Sequence, residues 1–259
     1  MRRRVLSLIC VTVLLLSVVG CGSEESDKEK VLRQKKLRIG VTDYEPIDYL
    51  DENGEWIGFD ADMARGFASK LGVEPEFVEI SWDNKQQELD EGNIDCIWNV
   101  MTLTDEVREA MDFSMPYIKN SQIVVMEKDK VGPYQQISDM KNLNFAVEVG
   151  STGEAQAQLY DLRYTPVGNQ IKALQAVVKG QFDGAIIDLL MAETMVGQGG
   201  EYKSLDYHIK LNEEEDVVGF RRGSDLVDDV NEFFKESYKD GSIYEIADKY
   251  KVRSVIMEQ

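Results

Sequence analysis

The chain has 259 residues, 48 acidic and 29 basic, with a net charge of −19, one histidine and three cysteines. Such a charge repels nucleic acid and anionic lipid, and a lone histidine, His208, leaves almost no material for a metal centre or histidine-based catalysis. Beyond its first stretch the chain holds roughly 230 residues, enough for one large domain or two lobes of about 100 residues, each with a core. The acidic excess serves solubility outside the cell, with attraction of cationic ligands as a second role. No cofactor and no metal are expected.

Residues 1–20 read as a processed signal peptide. Arg2, Arg3 and Arg4 form a basic start, and Val5 to Val19 is apolar apart from small hydroxyls, too short for a convincing permanent membrane span. The stretch ends in Val18-Val19-Gly20-Cys21, which resembles the lipobox of bacterial lipoproteins and implies cleavage before a lipidated Cys21. Gly22 to Lys30 (GSEESDKEK) carries no apolar side chain, so 21–34 is predicted as the lipidated cysteine and a flexible tether. Lipid plus tether anchors the chain to a membrane surface without spanning it. Cys10 leaves with the signal, so Cys96 has no intrachain partner; in IDCIW it reads as a small buried hydrophobe.

Strands and helices then alternate. Lys36 to Val41 is a short strand, and Asp51-Glu52-Asn53-Gly54 a turn with a hairpin signal. Asp60 to Leu71 places Met63, Ala64, Phe67 and Leu71 at helical spacing before the stop Gly72. Val73 to Ile80 is a strand, Asn84 to Glu91 a helix, Ile94 to Val100 a strand. Thr104 caps a short helix over 105–111. Gln122 to Met126 is a strand, followed by polar residues to Tyr134. A second set follows: a strand over Asn144–Val149, a helix from Gly150-Ser151-Thr152-Gly153 to Leu159, a helix over Gln170–Val178, a strand over Asp183–Ile187 and a helix over Leu189–Val196. Val217 to Phe220 is a strand, and two amphipathic helices, Ser224–Tyr238 and Ile243–Tyr250, end the chain. This alternation predicts an α/β architecture.

Several motifs occur in a telling order: GEWIGFDADM at 54–63, MTLTDEVREAMDFSMPY at 101–117, VEVGST at 147–152, GQFDGAIID at 180–188, VGFRRGSDL at 218–226 and GSIYEIADKY near the end. Together they resemble the bacterial extracellular solute-binding proteins of family 3, which serve amino-acid ABC importers. The resemblance covers nearly all of the mature chain. It implies an α/β, two-lobed periplasmic-binding-protein-like fold (type II) that closes by a hinge around a small-molecule ligand. Lobe 1 is then expected over 35–125 and 221–259, and lobe 2 over 126–220 with its flanking hinge strands. The hinges fall at Val124–Lys128 and Asp216–Phe220. It further implies an extracytoplasmic, lipid-anchored monomer that delivers its ligand to an ABC permease in the membrane, with no nucleic-acid partner.

In such proteins the ligand carboxylate meets an arginine and the N-terminus of a lobe 2 helix, whose counterpart here is Gly150-Ser151-Thr152. The ammonium meets an aspartate matched by Asp188. Thr102 matches a hydroxyl of the lobe 1 clamp, and Tyr44 and Trp82 match covering aromatics. The clamp departs from the family in two places. The arginine position, five after Thr102 and five before Asp112, holds Val107. Arg108 is one residue on, rotated about 100° on a helix, and reads mainly as a surface residue. Val100 stands where the family has glycine or another small residue. Pro46 is also followed by Ile47, where an aromatic is frequent.

Asp188, Glu148, Asp43 and Glu45 are then left with no lysine or arginine placed by the family pattern to oppose them. Buried carboxylates without partners recruit a cation or take up a proton. The expected ligand is therefore a small polar or cationic amino acid, or an amine, with Tyr44, Trp82 and Trp98 as cation–π faces. Glu148 is also read as solvent-facing, and Trp98 as core. Two other functions remain open. One is a cleft enzyme of dehydratase or lyase type using Glu148 as general acid, which lacks an identifiable second catalytic group. The other is a sensory module, which usually continues into a transmembrane helix, whereas this chain stops at Gln259.

Overall fold

A computed structural model of the chain describes residues 25–259. The signal stretch and Cys21 lie outside the described residues. Lobe 1 is built from α1 (Asp27–Gln34), β1 (Lys36–Val41), β2 (Tyr49–Leu50), β3 (Trp56–Ile57), α2 (Phe59–Leu71), β4 (Glu74–Glu79), α3 (Lys85–Asp90), β5 (Cys96–Thr102), α4 (Asp105–Ala110), β6 (Asp112–Phe113) and β7 (Ile118–Asn120). Lobe 2 holds β8 (Gln122–Glu127), α5 (Lys128–Val131), β9 (Asn144–Glu148), α6 (Thr152–Leu159), β10 (Arg163–Val167), α7 (Gln170–Val178), β11 (Gly184–Asp188), α8 (Leu189–Met195) and β12 (Leu205–Lys210). The chain returns to lobe 1 through β13 (Glu214–Phe220), α9 (Leu226–Asp240) and α10 (Ser242–Tyr250).

Local chemistry sets these elements. α2 buries Phe59, Met63, Ala64 and Phe67 along one stripe and ends at Gly72, whose φ of 73° suits a residue without Cβ. The β2–β3 turn is tied by Asp51 Oδ1, which accepts from the N–H groups of Asn53 at 2.8 Å and Glu55 at 2.9 Å. α4 starts where Thr104 Oγ1 accepts from Val107 N at 3.2 Å.

Each lobe has one mixed sheet. In lobe 1 the order is β4-β1-β5-β13-β6, with β7 also on β13; in lobe 2 it is β10-β9-β11-β8-β12. β1 runs parallel to β4 and β5, and β9 parallel to β10 and β11. α2 and α9 cover the lobe 1 sheet. Between them Trp98 of β5 packs against Phe67, Phe233 and Phe234 at ring-centroid distances of 5.9, 6.3 and 5.7 Å. Cys96 is fully buried, and burial pushes its thiol well up, which suits an inert core residue.

Two expectations are corrected. The tether predicted over 21–34 is helical from Asp27. Ser26 and Glu29 form a capping box, Val31 is buried, Arg221 pairs with Asp27 at 2.7 Å and Lys28 with Asp229 at 2.7 Å. The composition has no apolar stripe before Val31, so a helix held by ion pairs to α9 and its N-terminal approach was not legible. The hinge segments also move. Val124 to Glu127 lies inside the lobe 2 sheet, paired with β11 and β12, and Asp216–Phe220 inside the lobe 1 sheet, paired with β5 and β6. The crossings are shorter and earlier, at residue 121 and at 211–213, and they run side by side: Leu211 N donates to Gln122 O at 2.8 Å. An apolar run reveals a strand but not which sheet takes it. Among the described residues, no helix is long and apolar enough to cross a membrane.

Candidate functional site

Strands β5, β9 and β11 end at the gap between the lobes, and open α/β sheets bind ligands beyond such carboxyl ends. Their last residues are Thr102, Glu148 and Asp188. β13 enters the same place with Glu214, buried like Glu148 and Asp188. Asp188 accepts from Gln122 Nε2 and, at 2.6 Å, from Gln170 Nε2. Gln122 Nε2 also donates to Glu214 Oε2 at 3.1 Å, and Thr102 Oγ1 to the same oxygen at 3.3 Å. A hydrogen-bonded chain thus joins the two lobes through Asp188, Gln122, Glu214 and Thr102.

The electrostatics of this cluster are unusual. Burial, and then the charge of Asp188, push Glu148 up to about 8, against Gln170 and Lys85. The same two causes raise Glu214 to about 7, opposed by Asn212, Gln122 and Thr102. Burial also raises Asp188, while its two glutamines pull the other way. Asp216, two residues along β13 on the same face, is fully buried with both carboxylate oxygens unpartnered; burial and then Glu214 hold it well above the carboxylate range. The buried Tyr44 hydroxyl also has no hydrogen-bond partner.

Tyr44, Val100, Thr102, Glu148, Gln170 and Asp188 line a cavity of about 30 Å³, together with Trp82, Ser151 and Thr152; Glu214 and Asp216 stand outside it. Beside it lies a larger hollow of about 350 Å³ over Val107. Val100 takes a φ of 48°, a strained region for a β-branched residue. It sits where the pairing of β5 with β13 slips, and its N–H donates to the buried Asp60 carboxylate at 2.8 Å. The left-handed backbone explains why glycine suits this position.

At the mouth the lobes touch. Lys85 Nζ donates across the gap to Gly150 O at 3.2 Å and lies 4.8 Å from the Trp82 ring centroid. The Trp82 face expected for a ligand cation is thus partly covered by the chain's own ammonium, and the acidic site does have a nearby cation, supplied by α3. A Cβ on Gly150 would lie 2.8 Å from Asp83 Oδ1 and 3.0 Å from Asp83 Cα. Gly150→Ala should therefore hold the lobes apart and weaken ligand binding by roughly tenfold, the effect of about 1.4 kcal/mol of overpacking. Calorimetric affinity, with the ligand-induced change in radius of gyration by small-angle scattering, checks this.

The structure brings Tyr44, Trp82, Val100, Thr102, Glu148, Ser151, Thr152 and Asp188 together around the cleft, and Val107 onto the floor of the larger hollow. Ser151 caps α6, accepting from Glu154 N at 3.2 Å. Trp98 is not at the site; its indole is core. Asp43 and Glu45 do not line the cavity. Arg108 is exposed on α4, with its guanidinium 5.8 Å from the Phe113 ring centroid. Gln122, Gln170, Glu214 and Lys85 were missed. For Glu214 a signal existed: in Glu213-Glu214-Glu215-Asp216 a strand period puts Glu214 and Asp216 on one face. Among the described residues, no group of three or more histidine, cysteine or acidic residues is placed to hold a metal.

Comparison with known proteins gives a consistent result. Residues 37–253 match the family described as bacterial extracellular solute-binding proteins, family 3. The arginine-binding extracellular protein ArtP of Bacillus subtilis is 29% identical over 257 residues, 95% of this chain and 96% of that protein. An ABC uptake transporter substrate-binding protein from Streptococcus pneumoniae, solved with bound histidine, superposes with a TM-score of 0.81 at 27% identity, over 91% of this chain and 100% of that one. The ancestral amino-acid-binding protein AncCDT-1, described as a precursor of cyclohexadienyl dehydratase, gives a TM-score of 0.80 at 29% identity, over 87% of this chain and 99% of that one.

Proposed function

We infer that this chain, which belongs to the bacterial extracellular solute-binding proteins of family 3, captures a small cationic amino acid or amine between its lobes. It hands this solute to an ABC permease, and it acts as a monomer held at the outer face of a membrane by lipid on Cys21. The observation that carries the cation preference is the convergence of Asp188 and Glu148, both buried, on one small cavity, with the buried Glu214 joined to Asp188 behind it through Gln122. The charge of Asp188 opposes ionisation of both glutamates, and an ammonium in the cavity against Asp188 and Glu148 relieves both that repulsion and their desolvation. The Tyr44 side chain lines the same cavity beside Asp188. At the position that matches the family's arginine, α4 carries Val107, and the guanidinium of Arg108, one residue on, lies over the Phe113 ring.

A thermal-shift panel on a soluble chain beginning at Glu25 tests this. Lysine, arginine, ornithine, histidine, putrescine and agmatine are compared with neutral and acidic amino acids. A ligand at a hundred times its dissociation constant adds about 2.7 kcal/mol, a shift of several degrees. Stabilisation by cations alone is the expected result; a shift only with neutral or acidic amino acids overturns the reading.

A second reading has one observation in its favour. Glu148, held near 8 in a closed cleft, has the acidity of a general acid at neutral pH. Turnover of a cyclohexadienyl acid that disappears in Glu148→Gln would support it. Saturable ligand binding without turnover discards it.

A further inference from the structure

Capture of an ammonium uses only the 30 Å³ acidic cavity and leaves the hollow over Val107, more than ten times larger, without a role. The two compartments share Trp82, Thr102, Ser151 and Thr152, so they adjoin. A ligand seated against Asp188 and Glu148 has the hollow as its natural extension.

The walls of the hollow state what it accepts. On its lobe 1 side Met101, Val107, Ala110 and Met111 form an apolar floor, edged by Gln86, Thr102 and Thr104. Val107 and both methionines are buried members of one apolar cluster that continues into Ile80, Leu89 and Ile97. Its lobe 2 side is the first turn of α6, where a carboxylate would ordinarily be welcome. Here two of its donors are already engaged and a carboxylate already stands beside it: Glu154 Oε2 accepts from Gly150 N at 2.8 Å, and Ser151 Oγ accepts from Glu154 N. Asp83 and Glu106 also line the hollow. Its one cation, Lys85, is bonded to the carbonyls of Trp82 and Gly150. A ligand carboxylate there meets three acids and one engaged ammonium; a hydrocarbon group meets an apolar floor.

We propose that the hollow over Val107 is an apolar subsite, and that the ligand is an amine carrying an alkyl or aryl group and no α-carboxylate. Its ammonium lies against Asp188 and Glu148, and its hydrocarbon part lies over Met101, Val107 and Met111. This rests on the cation reading of the acidic cavity. Val107 is then a specificity determinant, and its side chain contributes by contact.

The test is a homologous series, methylamine, propylamine, pentylamine and phenethylamine, with putrescine, phenylalanine and lysine alongside, titrated by calorimetry into the chain and into Val107→Thr. Threonine keeps the shape of valine and adds a hydroxyl to the floor. The expected result is roughly a fourfold gain in affinity per methylene until the hollow is filled, with phenethylamine tighter than phenylalanine. In Val107→Thr the slope should fall, and an unaltered circular-dichroism spectrum with a cooperative melt reports that the variant is folded. Amines that bind with no dependence on chain length overturn the subsite and leave cation capture standing. Phenylalanine tighter than phenethylamine overturns it as well, because a carboxylate then finds a partner. If no amine or cationic amino acid binds, cation capture itself fails, a result distinct from the other two.

Discussion

Val107→Arg should raise affinity for ordinary α-amino acids by roughly two to four powers of ten. Thr104 fixes the first turn of α4 by capping Val107 N, so the side chain at 107 has one direction, onto the hollow that faces Ser151 and Thr152. A guanidinium extended from there reaches the first turn of α6 and offers two parallel donors to a carboxylate. Hydrogen bonds to charged groups contribute roughly 1.5–3 kcal/mol each, and two of them give the stated range. Two effects oppose the gain. The arginine stem replaces a buried isopropyl group in the cluster of Ile80, Met101 and Met111, which long side chains tolerate by lying along apolar surface. Glu154 is the stronger opponent, since its carboxylate already stands at the α6 N-terminus and would pair with the new cation. The full gain is therefore expected in Val107→Arg with Glu154→Gln, and part of it in the single variant. Calorimetry with histidine, glutamine and alanine checks both. No gain in the double variant would mean that the rest of the carboxylate clamp is not in place. Simple amines should lose affinity in the same variants, because a fixed cation now shares their cleft.

Arg108 does not supply this function, for a reason of helical geometry. One residue turns the side chain by about 100°, and the Arg108 guanidinium lies over Phe113 and lines a different hollow, with Leu103 and Lys119, from the one over Val107. The count of residues from Thr102 and from Asp112 was sufficient to place 107 on the cleft. Counting works there because β5, α4 and β6 follow one another without a loop long enough to slip.

Other parts were legible for similarly local reasons. Helix α2 announces itself by spacing and by Gly72, and the α6 start by Gly150-Ser151. Asp188 and Glu148 end apolar runs, and an acid at the end of a buried strand has few places to go except a cleft. What was not legible depends on contacts far apart in sequence. Trp98 looks equally suited to a platform and a core; the decision belongs to Phe233 and Phe234, more than a hundred residues later. Lys85 looks like a solvated helix residue until Gly150 of the other lobe is brought to it. Helix α1 looks like a linker until Arg221 and Asp229 are placed beside it. The crossings were misplaced because a strand's apolar pattern is the same whichever sheet receives it.

Affinity for a cationic ligand should rise about tenfold per pH unit between pH 6 and 8, about a hundredfold in all, with close to one proton released per ligand bound at the acid end of that range. Glu148 is pushed up to about 8 by burial and by Asp188, so at pH 6 it is protonated in the free protein. An arriving ammonium favours the carboxylate and displaces that proton; at about pH 8 half of the carboxyls still hold it, and the dependence levels off above that. The charged groups that face Glu148 are Asp188 from β11, which raises it, and Lys85 from α3, which lowers it, with neutral Gln170 between. Glu214, near 7, adds to the dependence over the lower half of the range. Stability of the free protein runs the opposite way. A carboxyl whose folded value lies above its unfolded one stabilises fully below the unfolded value and loses that contribution as pH rises through the folded value. Melting of the free protein should thus fall between about pH 4.5 and 8, by up to about 1.4 kcal/mol per pH unit for each such group. The difference between free and liganded protein widens over the same interval. Titrations in two buffers of different ionisation enthalpy count the protons, and Glu148→Gln should flatten both trends. An affinity that stays constant from pH 6 to 8 with no proton released would mean that the ligand's charge is met elsewhere than at Glu148.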